Sequence, residues 1–271
     1  MFRERGIEIK TRDQIALMRK AGLVVGQTLE LVRASIRPGM TILDLDALAE
    51  DHIRSCGAVP SFLGYHGFPR TLCVSVNDEV VHGIPGERVI ADGDVVSVDC
   101  GAIVAGWHGD AAMTVAVGEI PDEVHELIRV TEEAMWRGIA AAALGGRVTD
   151  ISHAVESYVR SQGDYGILED YVGHGIGSAM HQPPDVPNYG RPGKGPKLVE
   201  GLALAVEPMI VFGSPETRVL EDGWTVVTED GSWAAHSENT FTLTPQGAWV
   251  LTALDGGEAK LTELGVPFGG P

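Results

Sequence analysis

Cysteine is scarce in this chain: Cys56, Cys73 and Cys100 are odd in number and show no CxxC spacing. That excludes a disulfide framework and a cysteine-ligated zinc, and suits thiols kept reduced. No apolar run reaches the ~18 residues that spanning a bilayer requires, so no membrane segment is expected. Positive charge is also in deficit, with 20 Lys and Arg against 38 Asp and Glu for a net −18. Phosphate contacts need clustered Lys and Arg, so DNA binding and broad RNA contact are not expected. The opening Met1-Phe-Arg-Glu-Arg-Gly-Ile-Glu8 has acids where a signal peptide needs an apolar core. It predicts no export and a cytoplasmic protein. Low-complexity stretches are few. With 44% apolar residues over 271 positions, the chain reads as an ordinary globular protein, one large domain or two small ones.

Thr11-Arg-Asp-Gln14 matches a capping box, and Ile15, Met18, Gly22, Val25, Leu29 and Val32 follow at helical spacing down to Pro38-Gly39. A second helix is predicted from Thr41, with Asp44 in its first turn and a stop at Gly57. The loop Pro60–Pro69 carries more aromatics than a mere connection needs. A strand is expected over Thr71–Val76, followed by Val80-Val81-His82-Gly-Ile-Pro85. Gly and Pro after His82 could hold its imidazole out from a rigid turn, although a lone loop histidine is more often simply solvated.

The stretch Asp94–Val117 organises the rest. Two β-rich runs, Val95–Val98 and Met113–Val117, flank a Gly-containing turn, which signals a hairpin. A turn centred near Val104 and Ala105 would set Asp99 and Asp110 opposite each other on one face, with Cβ atoms about 5 Å apart. Two carboxylates that close repel unless a proton or cation lies between them. Two readings stand: a metal site, or one acid ending a strand and another starting a turn.

The second half resembles the first. A helix is expected from Asp122 over Glu123–Leu144, and Val148–Gly163 can be laid without gaps on Ile42–Gly57. Asp44 then falls on Asp150, Arg54 on Arg160 and Gly57 on Gly163. With a two-residue shift, Gly64-Tyr-His-Gly67 falls on Val172-Gly-His-Gly175, and Val95–Asp99 on Ala203–Glu207. If the duplication is real, the halves pair about a pseudo-twofold axis and Asp99 and Glu207 converge. Pro183–Pro196 reads as an ordered surface loop. Final strands are expected at Thr225–Thr228 and Ala234–Thr244, the latter with Glu238 inside it, and Glu258–Pro271 is expected to fray. His52, His125 and His153 read as solvated, whereas His108 could go either way.

The anomalies are Asp99, Asp110, Glu207 and Glu238 in or at the ends of strands, with His174 in Gly173-His-Gly-Ile-Gly177. Four carboxylates bring about four negative charges, which two divalent cations and a hydroxide would nearly neutralise. Oxygen-dominated ligation with one nitrogen suits Mn²⁺, Fe²⁺ or Co²⁺, with Zn²⁺ possible.

Together with His82-Gly-Ile-Pro85, His181 and Glu207-Pro208, these residues resemble the type I methionine aminopeptidases in their short bacterial form. The resemblance runs from about Lys10 to Leu251. It implies a single catalytic α/β (α+β) domain over 1–271 of the pita-bread fold: a curved, mostly antiparallel sheet covered by helices. Its related halves would span about 12–118 and 119–250, with a tail over 251–271. It implies that Asp99 and Asp110 bind one metal, that Asp110 and Glu238 bridge to the second, and that His174 and Glu207 complete that second ion. The family reaction removes the initiator Met from nascent proteins when the next residue is small, through a bridging hydroxide that attacks the scissile carbonyl. Glu207 would shuttle the proton, and His82 and His181 would contact the scissile amide. Tyr65, Phe68, Cys73 and Trp224 would form the pocket for the Met side chain. Nascent N-termini near the ribosome are the implied partners, met by a monomer.

The chain also departs from the pattern. Met180 stands where many members have Phe. The usual Ala-Gln-x-Glu-His-Thr reads Ala235-His-Ser-Glu-Asn-Thr240. Ala234 replaces the Ser or Thr that helps form an alkali-ion site near Asn77. The alternatives are a prolidase or aminopeptidase P-like enzyme, normally with an extra N-terminal domain, and a non-catalytic protein of the same fold.

Overall fold

In the computed structural model, which describes residues 6–271, the Thr11 hydroxyl accepts from the Gln14 N–H and the Gln14 side chain accepts from the Thr11 N–H. This capping box starts α1 (Arg12–Ser35). A second one, Thr41 with Asp44, starts α2 (Ile42–Ser55). The charged start Met1–Arg5 lies outside the described residues. Next come β1 (Val59–Pro60), a single 3₁₀ turn at Tyr65–Gly67, β2 (Leu72–Val76), β3 (Glu79–Val81), β4 (Val95–Val104) and β5 (Trp107–Ala116). The second half opens with α3 (Asp122–Ala141), α4 (Val148–Gln162), β6 (Gly166–Ile167), β7 (Gly173–Gly175), β8 (Gln182–Val186), β9 (Ala203–Val206) and β10 (Met209–Val211). It closes with β11 (Thr217–Val219), β12 (Val226–Thr228), β13 (Ala234–His236), β14 (Glu238–Thr244), β15 (Gly247–Val250) and α5 (Glu258–Glu263).

The main sheet has nine strands in the order β1-β4-β5-β14-β9-β7-β8, with β2 beside β4 and β15 beside β14, all pairs antiparallel. Its two halves meet where β5 pairs with β14. Each half has its own apolar core, α1 and α2 against β2, β4 and β5, and α3 and α4 against β9, β14 and β15. Strand alternation sorts the faces. Val96, Val98, Cys100, Ala111 and Met113 point into the first core, so Ser97, Asp99, Asp110 and Thr114 take the opposite face. At Gly109 and Gly22 strand and helix touch backbone to backbone: a Cβ on Gly109 would lie 2.7 Å from the Gly22 nitrogen. Glycine at 109 lets α1 seat directly behind the strand that carries Asp110, while glycine at 22 admits the Leu251 backbone, whose carbonyl oxygen would lie 2.1 Å from a Cβ there.

The repeat extends beyond the helices. Asp150 accepts from the Arg147 N–H as Asp44 does from that of Thr41. Each of these helix starts makes one isolated antiparallel bridge, Thr41 to Val89 and Arg147 to Lys197, which are counterparts under the two-residue shift. Four expectations need correction. The hairpin turns at Ala105 and Gly106, one residue later than expected, because both adopt positive φ (50° and 83°), as a two-residue turn requires. Helix α3 ends at Ala141 rather than Leu144, since Ala142 is extended and the Gly145 N–H leaves to bond the Leu198 carbonyl. The Pro-rich surface loop begins with a true strand, β8. The tail does not fray: Leu261 of α5 is buried, Phe268 bridges Ala248, and the Gly269 N–H bonds the Ala248 carbonyl at 2.7 Å. Among the described residues no helix is long and apolar enough to cross a membrane.

Candidate metal centre

Register places the acids. Asp99 of β4 is opposite Ala112 of β5, and Ala112 is opposite Glu238 of β14. Asn239 pairs with Val206, so one step further along β9 sets Glu207 opposite Glu238. Asp99, Glu238 and Glu207 thus form one row across four strands. Asp110, opposite Gly101, stands diagonally from Asp99 on the same face, not directly opposite it as expected, because of the shifted turn. Glu238 begins β14 rather than lying inside a continuous strand, since the chain breaks at Ser237. The Thr240 hydroxyl donates to the Asp110 carbonyl at 2.7 Å and accepts its N–H at 3.2 Å, pinning the backbone beneath that carboxylate.

His174 arrives from β7 on the other side of β9. Its Nδ1 lies 3.0 Å from the Gly175 carbonyl, which can only accept. Nδ1 therefore carries the proton and Nε2 presents a lone pair. That Nε2 lies 3.4 Å from Glu207 Oε1 and 4.0 Å from Glu238 Oε1. Burial pushes the His174 pKa down to about 3, so the ring is neutral at pH 7.

The carboxyls move the other way. Burial raises Asp99 to about 7, despite hydrogen bonding to Asp110 and the Cys100 backbone. Burial first, then the charges of Glu238 and Asp99, raise Asp110. Burial first, then the charges of Asp99 and Asp110, raise Glu207, and burial, then Glu207 and Asp99, raise Glu238. Asp99 Oδ1, Asp110 Oδ1 and Glu238 Oε1 are buried without a hydrogen-bond partner. Orphaned carboxylate oxygens facing each other across a sheet are what a divalent cation satisfies, and Asp110, His174 and Glu238 present donor atoms within 4.8 Å of one another. The donor set fits a divalent metal.

Histidines and a cluster of apolar side chains adjoin these acids. His82 has φ 61°, a strained value for a non-glycine residue, at the end of β3. The next residue must be glycine, since a Cβ on Gly83 would lie 2.2 Å from the Val74 carbonyl oxygen. The rigid turn expected after His82 therefore begins at His82 itself. Burial, then the neighbouring His181, lower the His82 pKa to about 4. His181 Nδ1 is 2.9 Å from the Tyr65 hydroxyl, and its ring centroid is 4.3 Å from that of His174. Phe68 and Cys73 pack in one buried cluster with Phe62 and Met180, edged by Tyr65, Ile84 and Trp224. Tyr65, Phe68, Cys73 and Trp224, the residues expected to line a pocket, meet in this cluster. Phe62 from the aromatic-rich loop, Ile84 and Met180, which sequence reasoning did not assign to the pocket, join them.

His66, the repeat counterpart of His174, stays exposed in the 3₁₀ turn, so the symmetry breaks there. His108, left open by sequence, shares the face of Asp110, and its Nδ1 is 3.1 Å from the Ser61 hydroxyl. Burial and His181 push its pKa down to about 4. His125 and His153 are exposed and His52 half-buried. The Asn77 side chain donates to Asp94 and accepts from the Val95 N–H, while the Asn77 backbone carbonyl accepts from the Ala234 N–H.

Residues 16–245 match the model of metallopeptidase family M24. The chain belongs to this family. Over 247 residues it is 53% identical to a methionine aminopeptidase of Clostridium acetobutylicum, covering 91% of this chain and 98% of that one. A methionine aminopeptidase of Clostridium perfringens is 50% identical over 92% of this chain and 99% of its own. The crystal structure of a Thermotoga maritima methionine aminopeptidase superposes with a TM-score of 0.89 at 45% identity, covering 91% of this chain and 99% of that one. An M24 metallopeptidase uses divalent metal, and the fold is the pita-bread fold of these relatives.

Proposed function

We propose that this chain removes the N-terminal methionine of nascent polypeptides when the following residue is small, with two divalent cations held by Asp99, Asp110, His174, Glu207 and Glu238. Asp99 and Asp110 would hold one ion and His174 and Glu207 the other, and Asp110 and Glu238 would serve both. One observation carries the reading: five donors brought by five chain segments, four of them strands and the fifth the end of β9, meet on one sheet face beside a cluster of soft and aromatic side chains. When bound, the cations supply Lewis-acid polarisation of the scissile carbonyl and acidify a water towards neutrality. Mn²⁺, Fe²⁺ or Co²⁺ suits this oxygen-rich set, and Zn²⁺ can also bind it.

The chain's own groups do the rest. Phe62, Tyr65, Phe68, Cys73, Met180 and Trp224 receive the unbranched methionine side chain, whose sulfur favours aromatic edges. With the Tyr65 hydroxyl donating to His181 Nδ1, His181 Nε2 is protonated and aimed as a donor at the scissile amide. His82, neutral at pH 7, serves as the second contact to that amide. Glu207 accepts a proton from the attacking water and delivers it to the leaving amine. The reaction would take place in the cytoplasm near the ribosome, on chains met by a monomer folded as a single catalytic domain.

Metal-stripped protein given Met-Ala and Xaa-Pro peptides tests this. Methionine release from Met-Ala peptides only after Mn²⁺, Fe²⁺ or Co²⁺ is restored is the expected result. Cleavage confined to bonds before proline would replace the proposal with a prolidase-like activity.

A further inference from the structure

His236 is a buried imidazole with no assigned task. It is 2% exposed, and its Nε2 has no hydrogen-bond partner. Its position follows from two registers. Lying two residues before Glu238, it projects to the same side across the break at Ser237. Opposite Met209 of β10, it stands diagonally from Glu207. The backbone there is fixed, since the Thr114 hydroxyl accepts the His236 N–H at 2.9 Å and donates to its carbonyl at 2.8 Å.

The side chain thus enters the acidic cluster from a strand that supplies none of the five donors above. Nε2 lies 3.8 Å from Glu207 Oε2, beyond hydrogen-bond reach. Glu207, His236 and Glu238 each present one donor atom, all within 4.8 Å of one another. Donors sharing a cation at about 2.0–2.2 Å stand up to about 4.4 Å apart, so a shift of a few tenths of an ångström completes the set. An unpartnered, deeply buried nitrogen facing two carboxylates needs such a partner.

We propose that His236 is an additional nitrogen ligand on the Glu207 side of the metal centre, giving this chain a second ligating imidazole beside His174. The inference rests on the metal-centre reading above. The sequence pattern that this segment resembles carries Gln at position 236, and an amide is a far weaker ligand for transition metals than an imidazole. The replacement therefore favours the ions that imidazole suits, Co²⁺ and Zn²⁺, over Mn²⁺, which prefers oxygen.

The test begins with wild-type protein loaded with Co²⁺. Each ligating imidazole contributes one hyperfine-shifted, solvent-exchangeable N–H proton resonance, so two such signals are expected, and one in His236→Gln. The same variant, assayed by chelator competition, should bind Co²⁺ and Zn²⁺ at least about tenfold more weakly, with Mn²⁺ affected less. A single N–H resonance in wild-type protein that does take up Co²⁺ would overturn the inference even if the variant failed to fold, and would leave the metal centre standing. Wild-type protein that takes up no Co²⁺ on dialysis would overturn both.

Discussion

Asp110→Ala is expected to abolish methionine release, by more than about 10³-fold, while the protein stays folded. Asp110 lies between Asp99 and Glu238, and the proposed centre needs it as a shared ligand, so its loss disables the group as a unit. Folding should not suffer in metal-free protein. Burial and the charges of Glu238 and Asp99 already raise the Asp110 pKa, so its removal relieves repulsion. Circular dichroism and melting in chelator would check the fold, and peptide turnover with restored metal would check the activity. Near-normal turnover would refute the shared role.

Asp99→Asn should stabilise the metal-free protein at alkaline pH. An unfolded Asp titrates near 3.9, whereas in the folded chain Asp99 is raised to about 7 by burial. The folded state therefore binds this proton more tightly. The stability that Asp99 contributes is fully present below about 3.9 and is lost as pH rises through about 7. At pH 8 the wild-type chain bears the buried charge and the variant does not. Asp99 keeps some solvent contact, which reduces the effect to on the order of 2 kcal/mol, or about 4–8 °C in melting temperature. The gain should shrink towards pH 5. Saturating divalent metal should reverse the order, because binding stabilises the intact site more than the depleted one. A variant less stable than wild type in chelator at pH 8 would contradict the repulsion on which the metal reading depends.

Much of this was legible because local rules and global fold agree. The alternation of Val96, Val98 and Cys100 with Ser97 and Asp99 sorts the two sheet faces. Thr11, Thr41 and Asp150 mark helix starts where the structure has them. The internal repeat placed Glu207 as the partner of Asp99, and register brings both into one row with Glu238. The misses have physical causes. The turn slipped by one residue because Ala105 accepts positive φ beside Gly106, a conformation that alanine does not advertise. The break at Ser237 falls where the chain passes from β10, paired through His236, to β5 and β9, paired from Glu238 onward, a tertiary demand. Leu261 and Phe268 anchor a tail whose glycines and prolines read as loose. Phe62, His108 and His236 joined the site only when distant strands met. His236 did carry a signal, as a departure from the pattern beside the buried Glu238, but its direction depended on geometry.

Anomalous scattering from crystals grown with Mn²⁺ tests the central claim most directly. Two peaks about 3.5–4 Å apart, enclosed by Asp99, Asp110, His174, Glu207 and Glu238, are the expected result. Mn²⁺ bound elsewhere, with no peak among these five side chains, would contradict it.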